Sequence, residues 1–228
     1  MTNHSYTSTN VGNVVDEGVL KFICGSDSIW DITEFGMDRA FFADYPMMRG
    51  NSIAYAPSFQ DSFSSYSQEE RDLLIKYLHN FTGVGIRDEE PLNFIANHTH
   101  AEVKRVVDPT LLLKSNDYDE IIVPRQENER YILYYSRCYN KAMEDFVEKI
   151  AKENDFKVLE ISLRYTNRDK HRMFYETGGE EFLSLVKYSE CVVTNSFHCL
   201  IFAIHFEKVF MFSQGSIVII KFSNCLTD

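Results

Sequence analysis

The sequence has no surplus of basic residues. Lys and Arg number 23 against 34 Asp and Glu, a formal charge of −11. That balance argues against non-specific binding to nucleic acid or anionic membrane, which needs a basic face. A small anion needs only a local cluster of Arg or Lys and is not excluded. No apolar stretch approaches the roughly 20 residues of a membrane-spanning helix. The amino terminus, MTNHSYTSTN, is polar and has no apolar centre, so it does not read as a signal peptide. The five cysteines, at 24, 138, 191, 199 and 225, are odd in number and never spaced C-x-x-C. Such a pattern points to free thiols in a reducing compartment, with the cytoplasm as the default. His98-x-His100 lacks the cysteine or carboxylate partners that would complete a metal site. No repeat and no low-complexity tract is visible.

What is present reads as alternating strands and helices. Residues 1–18 are expected to be poorly ordered. Strand-like runs then follow at Leu20–Cys24 and Ser52–Ala56. A helix opens on the capping box Ser67-x-x-Glu70, with an apolar face of Leu73, Leu74, Tyr77, Leu78 and Phe81. A short strand over Val84–Asp88, a helix over Glu89–Asn97 and a strand from Lys104 complete the first half. Residues 114–130 are polar, charged and interrupted by Pro124, which puts a domain boundary near 125. The expected division is a first domain over 19–125 and a second over 126–228.

The second half alternates more cleanly. Tyr131–Ser136 and Lys157–Leu163 read as strands. Between them Met143, Phe146, Val147, Ile150 and Ala151 recur at helical spacing. Thr177 to Glu180 is expected to cap a helix running through Ser189. The most informative stretch is Cys191 to Ser213, read as strand, tight turn, helix, strand, with His198 where the first strand gives way to the helix. In parallel α/β sheets ligands sit at the carboxyl ends of strands, and a helix start attracts anions. The fold class is therefore α/β, with a parallel sheet covered on both faces in the second half. The first half lacks the opening strand-helix unit of a doubly wound domain, and the last fifteen residues follow a strand without a closing helix. The chain thus reads as truncated at both ends.

Seven segments, in order, resemble the polysaccharide pyruvyl transferase family: Phe22–Trp30, Ile53–Phe59, Gly85–Glu89, Val107–Leu112, Tyr131–Tyr135, Glu180–Leu183 and Val192–His198. The resemblance implies two Rossmann-like domains facing across a cleft, as in one glycosyltransferase superfold, both incomplete here. It implies transfer of a pyruvyl group from phosphoenolpyruvate to sugar hydroxyls of a surface or exopolysaccharide precursor, with release of phosphate. The acceptor would be a sugar or lipid-linked glycan, and no cofactor or metal is called for. Cys199 replaces a usual glycine, Ser28 a common glutamine and Gln60 a common glycine.

The chemistry needs a proton delivered to the methylene carbon of the donor. Histidine suits this because its ordinary pKa of about 6.5 lets it exchange protons near neutrality. The resemblance puts that role on His198. Arg87 matches the family's substrate-binding arginine, and a guanidinium fork suits a carboxylate or phosphate. Asn195 and Ser196 are candidates for hydrogen bonds to phosphate, although Ser196 equally suits a helix cap. Asp27 and Ser58 lie at strand ends and are candidates for the acceptor pocket, where turn chemistry explains them as well. Two rival readings remain: a nucleotide-sugar glycosyltransferase on the same scaffold, and an inactive gene fragment.

Overall fold

The computed structural model describes residues 6–7, 10–11, 18–60, 62–162, 166–214 and 217–221. Most of the amino-terminal segment expected to be poorly ordered lies outside them, as does Leu163, the expected end of one strand. The chain divides into two compact units, Met1–Leu112 and Leu113–Asp228. The division precedes the polar stretch around Pro124, because a 3₁₀ turn over Ser115–Glu120 buries Tyr118 in the core of the second unit.

The first unit holds a four-stranded parallel sheet in the order β1 (Phe22–Cys24), β2 (Ser52–Tyr55), β3 (Phe81–Ile86), β4 (Glu102–Arg105). Helices α1 (Ile32–Phe35), α2 (Gln68–Leu78) and α3 (Leu92–Asn97) fall between successive strands. The capping box forms as the spacing predicts: Glu70 N–H donates to Ser67 Oγ, and Ser67 N–H donates to the Glu70 carboxylate at 2.8 Å. Phe81, expected on the apolar face of α2, instead opens β3. The helix stops at Leu78, and Asn80 turns inward to donate to the Phe42 carbonyl at 3.0 Å.

The core of this unit is aromatic. Trp30, fully buried, stacks on Phe42 at 5.3 Å between ring centroids and meets Phe59 edge-on at 5.4 Å. It lies on one face of the sheet, under Cys24, Ala54, Val84 and Ile86. The alternate positions Ile23 and Ile53 point the other way and are 70% and 39% exposed.

The second unit is a six-stranded sheet in the order β10-β9-β8-β5-β6-β7. Its strands are β5 (Tyr131–Tyr135), β6 (Lys157–Ile161), β7 (Arg172–Phe174), β8 (Cys191–Thr194), β9 (Val209–Gln214) and β10 (Ile217–Lys221). All pairings are parallel except β9 with β10. Helix α4 (Lys141–Asn154) buries Met143, Val147 and Ala151 in a cluster with Ile132, Tyr134, Val158 and Val193. Helices α5 (Gly179–Lys187) and α6 (Phe197–His205) cover the opposite residues of the same strands, among them Leu133, Leu159 and Val192. Both faces are covered, as the near-continuous apolar strands predict. Thr177 does not cap α5. Gly178 takes that position, no side chain caps the helix, and the buried Thr177 hydroxyl has no hydrogen-bond partner.

Candidate functional site

In the first unit the segments after β1, β2 and β3 gather at their carboxyl ends. Gly25 has φ of 113°, and a side chain there would run into the Tyr55 carbonyl, so the loop needs glycine. Asp27 bridges to Pro57, and Ser58 N–H donates to the Asp27 carbonyl at 2.8 Å. The Ser58 hydroxyl donates to Asp88 Oδ1 at 3.0 Å, and Phe59 N–H donates to Asp88 Oδ2 at 2.6 Å. Arg87, 18% exposed, donates from Nη1 to Asp108 Oδ2 at 2.5 Å and lies 3.9 Å from Asp27 Oδ1. Asp108 is buried, and its other oxygen accepts from Thr110 N–H at 3.0 Å and from the Thr110 hydroxyl at 2.7 Å.

Three of the residues singled out in the sequence, Asp27, Ser58 and Arg87, therefore meet in one cluster. Two more complete it: Asp88, which organises the Ser58 turn, and Asp108, which holds the guanidinium. Both lie two or three residues past strand ends, in motifs already singled out, which was the available signal. The cluster carries one cation against three carboxylates. Asp27, with its side chain 64% exposed, is the carboxylate that remains open to solvent.

The second unit presents a different environment. Ser196 is the N-cap of α6: its hydroxyl accepts from Cys199 N–H at 3.4 Å, and its own N–H donates to Thr194 Oγ1 at 2.9 Å. Asn195 is committed to the loop that follows β5. Its Oδ1 accepts from Arg137 N–H at 2.8 Å and its Nδ2 donates to the Cys138 carbonyl at 2.9 Å. His198 is the second residue of α6, half-buried, with the Phe197 ring edge-on at 5.4 Å. Cys199 faces inward, and burial pushes its thiol up to about 12, with a hydrogen bond to Thr194 acting against that rise. It is no nucleophile for His198 to activate.

Strands β5 and β8 are neighbours, paired Tyr135 to Thr194, yet their onward connections diverge. From β5 the chain runs through α4 to β6, and from β8 through α6 to β9 on the other side. This reversal is the place where open α/β sheets leave a crevice for ligands. Its lips are Ser136–Asn140 and Asn195–His198, and Asn195 ties them together. Among the described residues no group of His, Cys, Asp and Glu has the arrangement of a metal site. No helix among them is long and apolar enough to cross a membrane.

The second unit is thus a doubly wound α/β domain with its candidate histidine at the strand-order reversal. The family model for polysaccharide pyruvyl transferase matches residues 5–212, and the chain belongs to that family of transferases. Among solved structures, one from Listeria monocytogenes assigned as a UDP-N-acetylglucosamine 2-epimerase is similar at a TM-score of 0.57 and 8% identity. The match covers 92% of this chain and 62% of that one, so the chain spans less than two thirds of its length. At that identity the likeness speaks for the two-domain Rossmann-like fold alone. No curated protein sequence matches the chain.

Proposed function

We propose that the chain carries a pyruvyl transferase site that takes phosphoenolpyruvate as donor and a sugar of a surface or exopolysaccharide precursor, free or lipid-linked, as acceptor. The observation that carries the reading is the position of His198, which the resemblance matches to the family's histidine, at the strand-order reversal of the second unit. His198 gives a proton to the methylene carbon, converting it to a methyl group and leaving a cationic centre at the adjacent carbon. A sugar hydroxyl adds to that centre and loses its proton. The carbon–oxygen bond to phosphate then breaks, and a second hydroxyl closes the ketal. The sum is one phosphate released per pyruvyl group transferred. Proton transfer, addition and elimination involve no change of oxidation state, so no redox cofactor enters.

The cluster in the first unit suits a hydroxyl-bearing ligand better than an anion. Carboxylates accept hydrogen bonds from hydroxyls, and Asp27 is exposed for that purpose. Arg87, already bonded to Asp108, would meet an anion only in competition with Asp27. A cytoplasmic setting, where phosphoenolpyruvate is made, completes the reading.

The test is phosphate release from phosphoenolpyruvate in the presence of an acceptor glycan. His198→Gln is expected to lower turnover by about 10²–10⁴-fold, the range of a lost general acid. Turnover equal to the wild type would remove His198 from the mechanism. The glycosyltransferase alternative predicts the reverse ligand preference. Stabilisation of the chain by a nucleotide-diphosphate sugar, with none by phosphoenolpyruvate, would favour it. An inactive fragment would respond to neither.

A further inference from the structure

One lip of the second unit's strand-order reversal carries a cation to which neither the sequence motifs nor the family match gives a role. Arg137 lies two residues beyond the end of β5, on the lip opposite His198. Its main chain is fixed on both sides. Its own N–H donates to Asn195 Oδ1 at 2.8 Å, and the Cys138 carbonyl accepts from Asn195 Nδ2 at 2.9 Å and from the Ser136 hydroxyl at 2.6 Å. Asn195 stands three residues before His198, so one side chain sets the spacing between the two lips.

The side chain of Arg137 is exposed, and among the described residues its guanidinium makes no ion pair or hydrogen bond. Among the described arginines it is alone in this. Arg39 and Arg49 pair with Asp44, Arg87 with Asp108, Arg105 with Glu89, Arg130 with Glu190, Arg168 with Asp169 and Arg172 with Glu127. Arg71 and Arg125 donate to main-chain carbonyls. An exposed, unpartnered arginine is unremarkable on an open surface. Here it stands at the carboxyl ends of the two strands between which the sheet reverses, with its backbone held by the site's own asparagine.

The local charge supports the same conclusion. Neither lip, Ser136–Asn140 or Asn195–His198, contains a carboxylate, whereas the first unit's cluster holds Asp27, Asp88 and Asp108. An oxyanion entering the second unit's crevice meets no fixed negative charge on these lips and finds a planar fork able to bind it through two parallel hydrogen bonds. We propose that Arg137 is the oxyanion-binding residue of the His198 crevice, taking the phosphate or carboxylate of the donor. The identity of the donor rests on the function proposed above. The presence of an oxyanion site at Arg137 does not.

The neighbouring thiol supplies a readout independent of catalysis. Cys138 is exposed, while Cys24, Cys191 and Cys199 are buried. Its alkylation rate can be followed in the full chain by peptide mass mapping, with chloride at equal ionic strength as the screening control. Inorganic phosphate and phosphoenolpyruvate are expected to slow alkylation of Cys138. Arg137→Gln should raise the concentration needed by at least tenfold, and Arg137→Lys should restore part of the effect. Protection by phosphate but not by pyruvate assigns the site to the phosphate group, and the converse assigns it to the carboxylate.

Equal protection of Arg137→Gln and wild type would overturn the proposal, as would a wild type protected by none of these anions. Circular dichroism of each variant separates loss of binding from loss of fold. If protection depends on Arg137 but no acceptor elicits phosphate release, the proposed function fails and the oxyanion site stands. If phosphate release occurs with the same KM and kcat in Arg137→Gln, the function stands and the assignment of Arg137 falls.

Discussion

At the scale of single residues, each candidate cluster is built by carboxylates or amides that fix other groups. Asp108 is the clearest case. Its side chain is 2% exposed, and it compensates the partly buried charge of Arg87 while also accepting from Thr110. Removing one partner of such a pair leaves a poorly solvated charge behind, which costs more than the pair itself contributes. Asp108→Ala is therefore expected to destabilise the first unit by about 3 kcal/mol. Urea unfolding followed by the fluorescence of Trp30 would measure it, since Trp30 is the one tryptophan and lies in that unit's core. A change under about 0.5 kcal/mol, the range of ordinary surface substitutions, would mean the pair is solvated and weak. The cysteines give a second residue-level expectation. Burial pushes the Cys24 thiol up to about 11 and those of Cys191 and Cys199 to about 12. Near pH 8 iodoacetamide should modify Cys138 well before any of these three. Comparable rates would show that the unit opens locally on the timescale of the reaction.

At the scale of elements, local signals were legible wherever chemistry and spacing agreed. The capping box of α2, the stripe of α4 and the apolar runs of β5 and β8 all form where the sequence puts them. Phe81 was misread because it continues the i, i+3 spacing from Leu78, and only the inward turn of Asn80 ends the helix. Strand β7 has three residues, one of them charged, and nothing local marks it. It is held instead by Glu127, whose carboxylate accepts from Glu129 N–H at 3.1 Å, pairs with Arg172 at 2.7 Å and lies 3.5 Å from Lys157. The Glu129 backbone bond is the largest influence on this carboxyl. Despite partial desolvation, that bond together with Arg172 and Lys157 holds its pKa down at about 2, from 4.5. A depressed carboxyl pKa gives stability that is present above the unfolded value and lost as pH falls through the folded one. The second unit should thus weaken between about pH 4.5 and about pH 2. Glu127→Gln should lower stability at pH 7 and flatten that part of the profile. Parallel acid-unfolding curves for variant and wild type would assign the loss to other carboxyls.

At the scale of the whole molecule, the sequence shows two α/β halves but not where one ends. Composition marks a polar stretch around Pro124, while burial of Tyr118 draws the preceding 3₁₀ turn into the second unit. The two candidate clusters, one in each unit, were visible in part for the same reason. His198 and Arg87 lie in recognisable segments, whereas the tie from Asn195 to the loop after β5 joins positions 58 residues apart and exists only once β5 and β8 are paired. Each unit closes its own core, aromatic in the first and two-faced aliphatic and aromatic in the second. Units with separate cores are expected to unfold separately. Leu133 is fully buried in the second unit, so Leu133→Ala should cost about 2–5 kcal/mol there. Far-ultraviolet circular dichroism, which reports both units, should then show an earlier transition. Trp30 fluorescence, which reports the first unit alone, should keep its wild-type midpoint. Leu74→Ala, in the first core, should move the fluorescence midpoint instead. Equal shifts of both probes in both variants would mean that the two cores melt as one cooperative body.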